Sequence, residues 1–153
     1  MKALSIYAPY VDEIARGVKL EEYRSWATRH RGDLLICSAA RKSGDVWLKS
    51  DYDSRIDSCR LQAHEDEPGW YRFDWSGLYV CGHAICIVNV TDCEQAGVDG
   101  YAWRFDKVRL IQPVPVKGTQ RLFEVDDDRI SVIRGKYLAA RRLWYEMKLI
   151  DKI

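Results

Sequence analysis

Within the stretch GVKLEEYRSW, residues 17–26, a lysine, two glutamates, an arginine and a tryptophan fall inside ten positions. Lys19 and Arg24 supply cations for a phosphate, and the planar fork of an arginine also fits the edge of a base. Glu22 is an acceptor for an exocyclic amine. Trp26 offers a flat face on which an unstacked base can lie, a contact worth about 1 to 3 kcal/mol per base. Trp75 and Tyr79 offer further faces, and Arg29, Arg31, Arg41 and Lys42 would extend the positive surface along a strand of phosphates.

Each of these residues also has an ordinary structural reading. Glu22 and Arg24, two apart, could alternate across a strand or turn and form structural ion pairs with other partners. Trp26 suits a core position, since aromatics bury large areas in small barrels. Lys19, with no buried partner in view, is the hardest to explain structurally. Trp103 and Phe105 share a strand face and read as core, His83 reads as a satisfied histidine in an apolar strand, and Asp126 to Asp128 read as a solvated cap region.

The chain that must position these groups has 153 residues, 47% hydrophobic and 31% charged, enough for one core and short for two. A single domain over 1–153 is expected. Near the amino terminus Ser5, Pro9, Asp12 and Glu13 interrupt the apolar run, and no window approaches the roughly 18 apolar residues that span a bilayer. This predicts a soluble, unexported protein without a membrane partner. Five cysteines without a CxxC pair, most of them inside apolar runs, read as buried thiols of a reducing, cytoplasmic compartment. Neither they nor His30, His64 and His83 show ligand spacing, so neither metal nor cofactor is expected.

Net charge is +1, but unevenly spread. Residues 16–42 hold seven Lys or Arg against three acids and residues 134–153 six against two, whereas residues 43–133 hold ten against sixteen. Basic ends around an acidic middle suit a local anionic partner better than a general polyanion coat.

The pattern predicts a strand from Met1 to Tyr7, ended at Pro9, and then two helical turns in YVDEIARG stopped by Gly17. After a turn at Arg31 and Gly32, LLICSAA is a continuous apolar strand, buried on both faces or lining a closed barrel. Residues 45–66 carry a weak helical stripe (Val46, Leu48, Ile56, Leu61), and EPGWYRFDWSG is an aromatic loop. Leu78 to Val90 is the longest strand signal, with Gly82 marking a bulge or a close backbone approach. YAWRFDKVRLIQPVPV is a further strand that Pro113 and Pro115 push to an edge, and TQRLFEV is the last one. Ile133, Tyr137, Ala140, Trp144 and Met147 recur at helical steps, with Arg141, Arg142 and Lys148 opposite them. They predict an amphipathic helix over 131–150, properly begun after Gly135, which would cost about 1 kcal/mol inside it. The sum is an α+β domain.

Gly17-x-Lys19-x-x-Glu22-x-Arg24 matches the GxKxxExR signature of the ASCH (activating signal cointegrator homology) domain, whose fold is similar to the PUA-type RNA-binding barrel. Around it, in the family's order, come Pro9 followed by an aromatic and a helix, RSWATRHRG before LLICSAARK, GHAICIVNVTDC, and YAWRFDKVRLIQPVPVKG. The chain resembles this family over residues 1–125, and the terminal helix falls outside. The resemblance implies a small PUA-like β-barrel with flanking helices. It also implies a cleft beside the barrel, lined by the signature, that receives a nucleic acid, RNA above all, or a modified nucleobase. Lys117 would close its other rim.

One branch similar to this family hydrolyses the amide of N4-acylated cytidines, and there the resemblance assigns chemistry to the signature lysine and to a threonine where this chain has Glu22. A neutral lysine can take a hydroxyl proton and create a nucleophile. Glu22 cannot attack so simply; it could activate a water as general base beside Lys19, a different mechanism. RNA cleavage, also associated with the family, would need a base, an acid and a charge stabiliser, roles open to Glu22, Lys19 and Arg24. Three classes therefore stay open: a nucleic-acid binder, a hydrolase of RNA or acylated nucleosides, and an interaction module that docks a protein on the loop Trp70 to Trp75.

Overall fold

The computed structural model describes residues 1–7, 10–40, 62–63, 71–72, 81–135 and 138. Six strands form one sheet in the order β2-β7-β6-β3-β1-β8: β1 (Lys2–Ile6), β2 (Glu21–Arg24), β3 (Gly32–Ser38), β6 (His83–Ala96), β7 (Gly100–Pro115) and β8 (Phe123–Glu124). Two short strands, β4 (Gln62–Ala63) and β5 (Tyr71–Arg72), pair separately. The described residues are thus mostly β-sheet with few helices.

β3 is the hub, parallel to β1 and antiparallel to β6. Leu34, Leu35, Ile36 and Cys37 are each 0% exposed, so successive side chains are buried on both faces. That is why its sequence is a continuous apolar run rather than an alternation. Each of the three large side chains contributes about 1.5 to 3 kcal/mol by leaving water. Burial also pushes the Cys37 thiol up to about 12. On one face Leu34 and Ile36 join Leu4, Ile6, Val88, Trp103 and Phe105, and the helix α1 (Tyr10–Ala15) adds Val11 and Ile14. On the other, Leu35 and Cys37 join Ala3, Ala84, Ile87, Ile111 and Val125.

α1 ends as the sequence predicts. Gly17 adopts φ +78°, its N–H donates to the Ile14 carbonyl at 2.9 Å, and Val18 N–H reaches back to the Glu13 carbonyl at 3.0 Å. This pair of bonds is a Schellman cap, which satisfies the helix's last carbonyls and turns the chain sharply. Gly82 lies just before β6 with φ +71°, and its N–H donates to the Ser38 and Ala39 carbonyls at 3.1 and 3.0 Å, the close backbone approach its position suggested.

Several expectations are corrected. The barrel is not closed: β2 and β8 end the sheet order, and no ladder joins them among the described residues. β6 runs on past Val90 to Ala96 and turns through Gly97 into β7. β7 is interior rather than an edge strand, because β2 covers Tyr101–Arg104 and β6 runs along its whole length. Pro113 and Pro115 are tolerated because they lie beyond the reach of β2. Residues 131–133, expected as the start of the terminal helix, are extended instead. Val132 bridges Ile111, Gln112 N–H donates to the Ser131 carbonyl and Ile133 N–H to the Leu110 carbonyl, both at 2.9 Å. Gly135, expected just before the helix, is its first residue, with φ +61°; Leu138 is helical and packs on the core, and the other residues of that helix lie outside the described ones. The helix expected over 45–66 also lies outside them except at Gln62–Ala63, which is strand, and Tyr71–Arg72 within the expected aromatic loop is strand too. No helix among the described residues is long and apolar enough to cross a membrane.

Candidate functional site

The Schellman turn at Gly17 delivers the chain into β2, which pairs with β7 so that Glu22 lies opposite Trp103 and Arg24 opposite Tyr101. Residues directly opposite in an antiparallel pair put their side chains on the same face, and residues two apart share a face. Trp103 is 0% exposed in the core. Glu22 and Arg24 therefore sit on the inner, core-side face, while Glu21 and Tyr23 face outward. On that outer face Arg104 pairs with Glu21 at 3.3 Å and with Glu94 at 2.9 Å, and the Tyr23 hydroxyl donates to Glu21 at 2.7 Å, which raises the Tyr23 phenol pKa.

On the inner face the three signature residues converge. Lys19 Nζ is 3.6 Å from Glu22 Oε1, and Arg24 Nη2 is 3.9 Å from Glu22 Oε2. One carboxylate is held between two cations. Side-chain exposures are 22%, 12% and 23% for Lys19, Glu22 and Arg24, so the group sits at the rim of the core rather than in bulk water. Each member has further anchors. Lys19 Nζ donates to the Glu21 carbonyl at 2.7 Å and lies 5.8 Å from the centre of the Tyr10 ring. Glu22 Oε1 accepts the Tyr23 N–H at 3.0 Å. Arg24 Nη2 donates to the Ser5 carbonyl at 2.8 Å, and its Nε is buried with no hydrogen-bond partner among the described residues.

Trp26 follows two residues after β2. Its ring meets Trp103 edge to face, with centroids 4.7 Å apart and planes at 88°, and Trp103 Nε1 donates to the Trp26 carbonyl at 3.2 Å. Trp26 is half-buried, packed in part against the core and in part open to solvent. Arg121 lies over its ring, with Cζ 5.1 Å from the centroid.

The other candidates are scattered. Arg29 and Lys117 are exposed. Gly118, next to Lys117, packs so closely on Ser5 that a Cβ there would lie 2.1 Å from the Ser5 Oγ. Arg31 is engaged elsewhere: Nη1 donates to the Thr28 and His30 carbonyls at 3.2 and 2.9 Å, and Nη2 is 3.6 Å from Asp92. Its charge is thus matched by Asp92 of β6, and its remaining contacts are carbonyls of the β2–β3 connection. His83 Nδ1 is 2.8 Å from the Cys81 carbonyl, the satisfied histidine of the structural reading. Asp127–Arg129 form one 3-10 turn, with Asp127 bonded to the Met1 ammonium at 2.6 Å, so that acid serves as a structural partner. Arg41, Lys42, Trp75 and Tyr79 lie outside the described residues.

Sequence reasoning missed Ser5, Tyr10 and Arg121. Ser5 acts through a backbone carbonyl, which no side-chain pattern can reveal. Tyr10 stood out as an aromatic following Pro9, but without a role. Arg121 lay in a stretch legible only as strand.

The family model of the ASCH domain matches residues 4–116, nearly three quarters of the chain, and the chain belongs to that family. No curated protein matches it.

Proposed function

We propose that this ASCH-domain protein binds nucleic acid, preferentially single-stranded RNA or a modified nucleobase, through the group formed by Lys19, Glu22 and Arg24. The observation that carries this reading is the placement of two cations within 3.6 and 3.9 Å of one carboxylate at the core rim, with a half-buried tryptophan two residues along the chain from Arg24. Cations meet phosphate, Glu22 accepts from an exocyclic amine, and Trp26 supports a base. The four free cysteines among the described residues, two of them buried, suit a reducing, cytoplasmic setting.

The hydrolase readings have weaker support. Glu22 stands where the acylcytidine-hydrolysing branch has its threonine, and a carboxylate there cannot be turned into the attacking hydroxyl that this chemistry uses. The interaction-module reading rests on residues 70–75, of which only Tyr71 and Arg72 are described.

The test is an anisotropy titration of labelled single-stranded RNA at several salt concentrations, with the wild type and Lys19→Ala and Arg24→Ala variants. Binding should weaken log-linearly with salt, and loss of one phosphate contact should reduce the slope by about 0.7. Unchanged affinity in both variants would refute the reading. Release of product from N4-acetylcytidine or from the RNA itself, abolished in Glu22→Gln, would replace it with a hydrolase.

A further inference from the structure

The guanidinium of Arg121 has no carboxylate partner among the described residues and lies over the Trp26 ring, 5.1 Å from Cζ to centroid. The backbone beneath it is fixed at several points. Val116 N–H donates to the Gly82 carbonyl at 3.0 Å, Gly118 is pressed against Ser5, Thr119 Oγ1 donates to the Arg121 carbonyl at 3.1 Å, and Leu122 packs on the core. Ser5 is the residue whose carbonyl holds Arg24. The segment that carries Arg121 is therefore tied to the same β1 position as the signature, while its side chain stays exposed. Trp26 is fixed differently, by its edge-to-face contact with Trp103, and is the rigid member of the pair.

We propose that Arg121 recognises the base in this site: an unpaired base parts Arg121 from Trp26 and is held between the indole and the guanidinium. The inference rests on the nucleic-acid reading above and deepens it by assigning the second face of the base. Carbon atoms in contact lie about 3.5 Å apart, so a base with a neighbour on each side needs about 7 Å between them. The present 5.1 Å leaves no room, and Arg121 must swing outward by about 2 Å, which an exposed side chain does at little cost. Until then its guanidinium covers an aromatic face that would otherwise meet water. A guanidinium stacks on a base as a plane and an ammonium does not, so the role is specific to arginine. Residue 121 lies beyond the span that the family model matches.

The experiment compares wild type, Arg121→Ala and Arg121→Lys, each with its melting temperature. The probes are a labelled single-stranded RNA and a fully abasic ribose-phosphate oligomer of equal length. Arg121→Ala should weaken RNA binding about 5- to 30-fold, the range expected for a stacked, partly desolvated guanidinium. Arg121→Lys should recover less than half of that loss on a logarithmic scale. Both variants should bind the abasic oligomer within about twofold of wild type, because the lost partner is a base. Full rescue by lysine, or an equal loss on the abasic oligomer, would make Arg121 a phosphate contact and overturn the proposal. Wild-type RNA affinity in Arg121→Ala would reduce it to a cover for the indole and overturn the proposal alone. Failure of the wild type to bind RNA at low salt would remove the functional reading, and this inference with it.

Discussion

The guanidinium of Arg24, on the outermost strand β2, donates to the carbonyl of Ser5 on β1, the fifth strand in the sheet order, at 2.8 Å. The sheet is open as a ladder, yet it curls far enough for a side chain to span its two sides. A charge-assisted hydrogen bond of this kind is worth about 1.5 to 3 kcal/mol when buried, and less at 23% exposure. Arg24→Ala is therefore expected to lower unfolding stability by about 1 to 2 kcal/mol. Lys19→Ala, whose partners are local, should cost under about 1 kcal/mol. Urea midpoints of the two variants check this, and equal losses would show that Arg24 has no bridging role. The contrast also assigns Lys19→Ala as the cleaner probe of binding.

Gly118, in the connection between β7 and β8, is a second element tied to Ser5 of β1. A Cβ built there would fall 2.1 Å from Ser5 Oγ, 3.2 Å from Ser5 Cβ and 3.3 Å from Phe123 Cζ. The hydroxyl can rotate away, but Ser5 Cβ and the ring cannot both yield easily. Gly118→Ala should cost about 1 to 3 kcal/mol, the usual range for overpacking. Removing the hydroxyl in a Ser5→Ala/Gly118→Ala double variant should restore part of it. A double-mutant cycle in urea measures the coupling, and strict additivity would mean that the clash relaxes elsewhere.

Local rules made β1, α1 with its Gly17 cap, β3 and the long strands of the β6–β7 hairpin legible, because an apolar run, a helix-ending glycine and a period of two are written in neighbouring residues. The signature was legible as a set of types, and its shared face follows from Glu22 and Arg24 standing two apart on one strand. Partners distant in the chain were not legible. Arg24 meets a carbonyl of β1, Trp26 meets Arg121, and Ser131–Ile133 add to β7 where the apolar spacing alone suggested a helix. Ile133 is buried as expected, but by a bridge; a buried position does not declare which element buries it.

Asp33 and Arg109 give the fold a pH-dependent contact outside the site. Arg109 Nη2 donates to Asp33 Oδ1 at 2.6 Å, and this hydrogen bond, partly opposed by burial and helped by the Arg109 charge, holds the Asp33 pKa below the usual carboxylate range. A lowered folded-state pKa means stability that is present above the unfolded value, about 3.9, and lost as pH falls through the folded one. The side chains are 49% and 37% exposed, so screening limits the contribution to under about 1 kcal/mol. The stability gap between wild type and Arg109→Ala should be present at pH 6 and diminish as the pH falls below the unfolded-state value of about 3.9. It should also shrink in 1 M salt, near which the Debye length is about 3 Å. A gap that does not diminish with falling pH would assign the loss to packing of the arginine stem instead.

The same arginine depends on a strained residue in β7. Lys107 has φ +52°, and it is the one described non-glycine residue with positive φ. It sits where the register slips: Asn89 faces Asp106 while Ile87 faces Arg109, so β7 carries one residue more than β6 across this interval. The bulge turns the Lys107 carbonyl to accept from Arg109 Nε at 3.2 Å, which steadies the guanidinium against Asp33. The left-handed conformation costs an L-residue about 1 to 2 kcal/mol, relieved by glycine but partly offset by the greater freedom of glycine in the unfolded chain. Lys107→Gly should leave stability unchanged or raise it by up to about 1 kcal/mol. Lys107→Val, β-branched at the same angle, should lower it by about 1 to 2 kcal/mol. If urea denaturation instead shows valine tolerated as well as glycine, the strand has slipped to a regular register, and the Asp33–Arg109 contact should be lost with the bulge.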